Sequence, residues 1–223
     1  MSFKKNQYQI IRQAISKELA EFCHKYFLLK KKVVKKMFDE RYISPFSSYF
    51  GTFEDPQVPN SYSHYADIVM ETLLIEMQKK MQDETNLNLI PTYSYARIYY
   101  KGNFLARHKD RPSCEISTTM NLGGDMWPIY IDPTGDDNVT YITESNSKVK
   151  KEAHPGIKVD LNPGDMLIYK GYNLEHWRNS FEGEVCSQVF LHYNDTDSNW
   201  SGKNEFDGRE FIGLPDAFKR KSE

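Results

Sequence analysis

Tyr95-Ala96-Arg97-Ile98-Tyr99-Tyr100-Lys101-Gly102-Asn103-Phe104-Leu105-Ala106-Arg107-His108-Lys109-Asp110 is the stretch on which the reading of this chain turns. Its first six residues are rich in aromatic and β-branched side chains and form a strand pattern, which Gly102-Asn103 breaks. Side chains alternate along an extended backbone, so His108 and Asp110 face the same way if that run is extended, and can bind one ion as neighbours. The pair alone carries little weight. With six histidines and 31 acidic residues, chance supplies an H-x-[DE] roughly 0.8 times in a chain of this composition. A third ligand must come from a distant strand, and His176 is the candidate. It follows the turn Asn162-Pro163-Gly164-Asp165, the strand Met166-Leu167-Ile168-Tyr169 and the turn Gly171-Tyr172-Asn173.

Outward from that stretch, the 223 residues form a single domain, 1–223, in three parts. Residues 1–88 read as N-terminal helical support. From Ser16, a capping residue, Leu19, Phe22, Cys23, Tyr26, Val33 and Met37 recur at mostly three- and four-residue intervals, with Pro45 beyond the helix end. A second helix is expected from about His64 to Glu84, with Ala66, Val69, Leu73, Met77 and Met81 on one stripe. Between them Glu54-Asp55-Pro56-Gln57-Val58-Pro59-Asn60 reads first as a plain connector, with a lid over a metal site as the alternative. Residues 89–193 hold short strand runs: Thr92 to Tyr100, Cys114 to Leu122, Ile129 to Ile131, Ile157 to Leu161, Met166 to Tyr169 and Val185 to Tyr193. Gly, Pro, Asn and Asp clusters separate them, as in an all-β sandwich or barrel. The last run puts Cys186, Gln188, Phe190 and His192 on one face. Residues 194–223 form a polar C-terminal extension, with Phe211-Ile212-Gly213-Leu214 as a docking segment. The fold class is mainly β with flanking helices (α+β).

Composition narrows the partners. A formal net charge of −2 gives no global pull towards nucleic acid or an anionic membrane. Lys30, Lys31, Lys32, Lys35 and Lys36 read as a solvated helix face. No apolar run approaches transmembrane length, and Met1-Ser2-Phe3-Lys4-Lys5 lacks the apolar stretch of a signal peptide. Cys23, Cys114 and Cys186 are odd in number and scattered, the pattern of reduced thiols in a cytoplasmic protein. Nothing in the sequence sets an oligomeric state.

Two histidines and one carboxylate are the ligand set of non-haem Fe(II) sites that keep positions open for a co-substrate and oxygen. The order of the pieces here, a tyrosine strand, a glycine turn, H-x-D, further strands, P-G-D and a distal histidine, resembles the Fe(II)- and 2-oxoglutarate-dependent dioxygenases, in particular their prolyl 4-hydroxylase-like branch. The resemblance spans roughly Tyr93 to Tyr193. It implies a double-stranded β-helix (jelly-roll) core, with His108, Asp110 and His176 holding iron and 2-oxoglutarate and oxygen as co-substrates. It also implies that Tyr99 donates to the far carboxylate of 2-oxoglutarate, and that the reaction hydroxylates an unactivated C–H bond of a prolyl or other amino-acid residue or of a small molecule.

One position departs from the pattern. Where the family usually supplies a Lys or Arg, about ten residues after the distal histidine, this chain has Cys186, and no Lys or Arg lies between Asn179 and Trp200. Arg178, two residues after His176 and so on the same strand face, is the favoured substitute; Arg97 comes second and Gln188 is a candidate amide partner. His154 and His192 compete as metal ligands but lack a carboxylate two residues on. Asp132-Pro133-Thr134-Gly135-Asp136-Asp137-Asn138 lacks the order of a calcium loop and reads as a turn. Trp127, Trp177 and Asn121 either shape a substrate pocket or pack the core. The rival readings are a zinc-dependent hydrolase on the same three ligands, which lacks an H-E-x-x-H helix, and a non-catalytic jelly-roll binding protein.

Overall fold

The computed structural model describes residues 3–44, 46–143 and 146–219. A short helix α1 (Phe3–Asn6), strand β1 (Tyr8–Ile11), helix α2 (Lys17–Asp39), strand β2 (Tyr62–Tyr65) and helix α3 (Ile68–Thr85) come first. They lead into β3 (Leu89–Tyr100), β4 (Leu105–His108), β5 (Ile116–Gly124), β6 (Ile129–Ile131), β7 (Val139–Thr143), β8 (Asn146–Val149), β9 (Ile157–Val159), β10 (Met166–Tyr169), β11 (His176–Arg178) and β12 (Val185–Asp195). A six-stranded antiparallel sheet runs β1-β10-β5-β12-β3-β2, a four-stranded one runs β4-β11-β6-β9, and β7 and β8 form a separate hairpin.

Strand alternation sorts the side chains into layers. Ala96 and Ile98 of β3, Met166 and Ile168 of β10, and Val189 and Leu191 of β12 face the helices and pack with Ala20, Cys23, Phe27, Leu74, Met77 and Met81. Their neighbours point inward. Leu167 and Tyr169 meet Ile129, Ile131 and Val159 of the smaller sheet, while Tyr99, Cys186 and Phe190 meet Leu105. Two sheets enclosing one core make the jelly roll, with α2 and α3 on the outer face of the larger sheet.

The N-terminal third differs from its helical reading, because β1 and β2 close the two edges of the larger sheet. Helix α2 starts where Ser16 caps it, its Oγ accepting from the Leu19 N–H at 3.1 Å. Its buried face, however, is Ala20, Cys23, Phe27 and Val34, whereas Leu19, Phe22 and Val33 are exposed. The helix carries two apolar stripes, and the one with the small Ala20 lies against the sheet. Pro45, expected beyond its end, lies outside the described residues. Helix α3 begins four residues later than its periodicity suggests, because His64 belongs to β2 and Asp67 caps the helix, accepting from Val69 and Met70 N–H. The lysine cluster is largely engaged: Lys30 pairs with Asp67, Lys35 with Asp39 and Lys36 with Glu40, and Lys31 lies over the Tyr100 ring. No helix among the described residues is long and apolar enough to cross a membrane.

The C-terminal extension is tied down. Arg209 pairs with buried Glu71 at 3.0 Å, the Gly213 N–H donates to the same carboxylate at 2.9 Å, and Ile212 packs on the core. Phe211, expected to dock with it, is exposed.

Asp67 joins these parts, since its buried carboxylate caps α3 and also meets Lys30, His64 and Tyr26. Burial alone would raise this carboxyl, but the His64 hydrogen bond and the Lys30 ammonium outweigh it and hold it below the carboxylate range. Asp67→Ala is expected to cost about 3 kcal/mol in urea unfolding, because it removes a cap and strands a partly buried ammonium. A depressed folded value means this stability is present above the unfolded carboxylate value of about 3.9 and is lost as pH falls through the folded one. The acid limb of the wild-type stability curve should therefore be steeper than that of Asp67→Asn.

Candidate active site

Strands β4 and β11 pair so that His108 and His176 stand directly opposite one another. Each ring donates Nδ1–H to a backbone carbonyl two residues earlier, His108 to Ala106 at 2.7 Å and His176 to Leu174 at 3.0 Å. That fixes the tautomer and leaves both Nε2 atoms as acceptors. Asp110 lies just past the end of β4, held by its own N–H to the Gly171 carbonyl at 2.9 Å. Its Oδ1 is 3.5 Å from His108 Nε2 and 3.4 Å from His176 Nε2. Burial, then the neighbouring His176, holds His108 below its ordinary value. Burial would raise Asp110, but the two imidazoles hold it well below the carboxylate range. The site therefore offers a carboxylate and imidazole nitrogens converging on one point, a donor set fitted to a divalent cation with three positions left open.

A buried charge network behind the ligands sets this register. Arg107 and Glu175, the residues immediately before His108 and His176, point to the opposite face and pair at 2.6 Å. Arg107 also pairs with Asp132, donates to the His154 carbonyl at 2.8 Å and lies over the Trp177 ring. The segment from Asp132 is a turn, as its sequence suggests, yet it supplies this buried anion.

Deeper in the barrel, Arg178 is 1% exposed. Its guanidinium donates to the Trp127 carbonyl and to Thr119 Oγ1, the latter at 3.0 Å, and lies over the Trp127 ring. Its Nε has no partner, and among the described residues no carboxylate pairs with it. Burial pulls it below the usual guanidinium value. Tyr99, fully buried, shares this region: its hydroxyl accepts from Arg97 at 3.2 Å and its ring meets Trp127 edge-on. Gln188 Oε1 accepts from Thr119 at 3.2 Å, and its Nε2 meets Cys186 Sγ. Arg97, the second-choice cation, is already neutralised, with Nη2 2.6 Å from Asp55.

Asp55 belongs to the segment whose simpler reading was a plain connector, and here the structure corrects it. Asp55 is buried, accepting from Tyr95 and Arg97 and from the Gln57 and Val58 N–H groups. Gln57 Oε1 accepts from Arg97 at 3.0 Å, which aims its amide nitrogen 3.3 Å from His108 Nε2. The loop thus forms one wall of a cavity of about 390 Å³ that contains the three converging ligands. Arg111, on another wall, is clamped by Asp207 of the C-terminal extension with two 2.7 Å contacts. Sequence reasoning reached Asp55 and Gln57 only within its alternative of a lid and gave no role to Asp132 or Asp207, none of which sits in a periodic segment. His192 does approach Asp110, through Ser117, and Asp110, Cys114 and His192 form a second group of converging ligand atoms. His154 joins neither group. Trp127 packs against Tyr99 and Arg178, which with Gln188 lie behind the cavity rather than in its lining, Trp177 stacks outside on Tyr130, and Asn121 is a core residue bonded to the Leu161 carbonyl.

A jelly roll with this arrangement has the fold of the Fe(II)/2-oxoglutarate-dependent oxygenases, a superfamily that includes the prolyl 4-hydroxylases. The particular likenesses are to solved structures: no family model matches the chain, and no curated protein matches it in sequence. HygX from Streptomyces hygroscopicus, solved with nickel, 2-oxoglutarate and hygromycin B, aligns with a TM-score of 0.59 at 16% identity, over 87% of this chain and 85% of that one. SnoN, a non-haem α-ketoglutarate-dependent epimerase from nogalamycin biosynthesis, gives 0.60 at 9%, over 87% and 80%. A Pseudomonas putida prolyl 4-hydroxylase gives 0.50 at 11%, over 85% and 94%.

Alanine at His108, Asp110 or His176 is expected to abolish nickel binding measured by calorimetry, and His154→Ala to leave it unchanged. Retained binding in His176→Ala would move the ion to the Asp110, Cys114 and His192 group.

Proposed function

We propose that this chain is a non-haem Fe(II)- and 2-oxoglutarate-dependent dioxygenase that hydroxylates an unactivated C–H bond of a small polar molecule or an amino-acid residue. Arg178 carries this reading. A fully buried guanidinium without a carboxylate partner is costly, and the cost is relieved when an anion occupies the site. Among the described residues the buried carboxylates are engaged elsewhere, which supports an external anion, and we take it to be the far carboxylate of a keto acid. His108, Asp110 and His176 would hold the iron, with Arg178, Tyr99 and Thr119 receiving that carboxylate. Iron with 2-oxoglutarate supplies the oxidant that places one oxygen atom of O2 in the substrate and releases succinate and carbon dioxide.

The chain's own residues do the rest. Burial of Tyr99 and Arg178 excludes water from the co-substrate end. Gln57, its carbonyl held by Arg97, presents an N–H to whatever lies beside His108. No side chain is required as a general base. A zinc hydrolase would need one, and Asp55, a carboxylate lining the same cavity, is tied to Arg97. The three cations lining the cavity, Arg97, Lys109 and Arg111, are each paired, with Asp55, Asp137 and Asp207. A neutral or zwitterionic substrate suits such walls better than a polyanion, which supports a small molecule or amino-acid residue over nucleic acid. HygX was solved with a small molecule, hygromycin B, beside its metal and 2-oxoglutarate. Three buried thiols suit a reducing compartment, and we place the protein in the cytoplasm on that basis.

The two arginines separate cleanly in experiment. Arg178→Met should weaken 2-oxoglutarate binding to the metal-loaded, anaerobic protein by about 100-fold, while thermal stability stays level or rises because an unpaired buried charge is gone. Arg97→Met should instead lower stability by about 3 kcal/mol, since Asp55 is left buried alone. Equal 2-oxoglutarate affinity in wild type and Arg178→Met would sink the co-substrate assignment. Succinate release by the wild type should require oxygen, ferrous iron and 2-oxoglutarate together; turnover supported by zinc alone would favour the hydrolase.

A further inference from the structure

Asp110 presents two oxygens, and the structure treats them differently. Oδ1 faces both histidine Nε2 atoms, whereas Oδ2 is 2.9 Å from the Ser117 hydroxyl. Ser117 Oγ is also 2.9 Å from the Cys114 carbonyl and 2.9 Å from His192 Nδ1. A hydroxyl has one proton and two lone pairs. Of its neighbours the carboxylate is the strongest acceptor, so the proton goes to Asp110 Oδ2, and His192 Nδ1–H donates into the oxygen from behind. The strands set this chain of bonds, because Ser117 of β5 and His192 of β12 are register partners. Gly171 closes the remaining side. A Cβ there would sit 2.2 Å from Asp110 Oδ2 and 2.6 Å from Ser117 Oγ, so only glycine lets the backbone lie against this pair.

We propose that Ser117, oriented by His192, is a positioning residue that holds Asp110 Oδ2 away from the metal and keeps Asp110 a single-oxygen ligand. The consequence rests on the function proposed above. Three protein ligands leave three positions on a six-coordinate ion. A keto acid takes two of them, and one must stay open. If Asp110 closed onto the ion with both oxygens, that position would be lost. The same hydroxyl bridges Asp110 Oδ2 to His192 Nδ1, so that oxygen is engaged on the side of Cys114 and His192 and only Oδ1 faces His108 and His176.

The test uses cobalt(II) as a probe whose d–d absorption reports coordination number, so neither turnover nor a known substrate is needed. Wild type, Ser117→Ala and His192→Phe are each titrated with cobalt(II), with folding checked by circular dichroism. Phe keeps a ring against Tyr93, on which His192 packs at 4.5 Å between centroids, and removes only the nitrogen donor. Ser117→Ala is expected to bind cobalt at least about 10-fold more weakly and with an altered d–d spectrum, and His192→Phe to shift both in the same direction by less. Wild-type spectra in both variants overturn the proposal, whether or not affinity falls, because a merely structural serine would leave coordination unchanged. If Ser117→Ala does not fold, His192→Phe decides alone. If the wild type itself binds no cobalt, the three-ligand reading fails and this inference with it; if it binds and the variants match it, only this inference fails.

Discussion

The pairing of β4 with β11 is the constraint on which the site depends. It places His108 opposite His176, and a slip of either strand by one residue would put the two rings on opposite faces of the sheet. Short strands specify register weakly by hydrophobic pattern alone, and β11 has only three residues. The buried Arg107, Glu175 and Asp132 supply the missing specificity. Any slip would separate Arg107 from its two carboxylates in a place where an unpaired charge is strongly disfavoured. The side of the ribbon that carries His108 and His176 is thus held in register by charges on its far side.

The same accounting of buried charge separates the paired arginines from an unpaired one. Arg97 has Asp55, Arg107 has Asp132 and Glu175, Arg111 has Asp207, and Arg209 has Glu71. Each pair also ties distant segments together: the 54–60 loop to β3, the smaller sheet to its own turns, and the C-terminal extension to the cavity wall and to α3. Arg178 stands apart, since its contacts are to a carbonyl, a hydroxyl and a ring face. A protein evolved for stability alone gains nothing from such a group, and sites that must receive an anion are where it is tolerated.

Much of this is legible in the sequence, for local reasons. H-x-D points to two side chains that meet, although Asp110 lies just past β4 and is held by its N–H to Gly171, and the two-residue spacing from His176 points to Arg178. The inward face of β12, Cys186 to His192, follows from the same period. The lower-contrast features failed for equally physical causes. On α2 two apolar stripes compete, and periodicity cannot say which one meets the sheet. His64 continues the helical spacing of α3 but belongs to a strand, because the Asp67 cap is decided by Lys30 and His64 as well as by helix chemistry.

Sequence by itself determined the period of β3, β5, β6, β9, β10 and β12 and the pairing of His108 with Asp110, because these rest on neighbours a few residues apart, while His176 came from the order of the motifs. Only the tertiary structure decided the partners. Asp55 meets Arg97 across 42 positions, Arg107 meets Glu175 across 68, His192 meets Ser117 across 75 and Arg111 meets Asp207 across 96. Such pairs leave no periodic trace, since each is made by the sheet order and the loops that cross it. Whether a buried charge is satisfied depends on that geometry, and so does the difference between Arg97, paired with Asp55, and Arg178, which no described carboxylate meets.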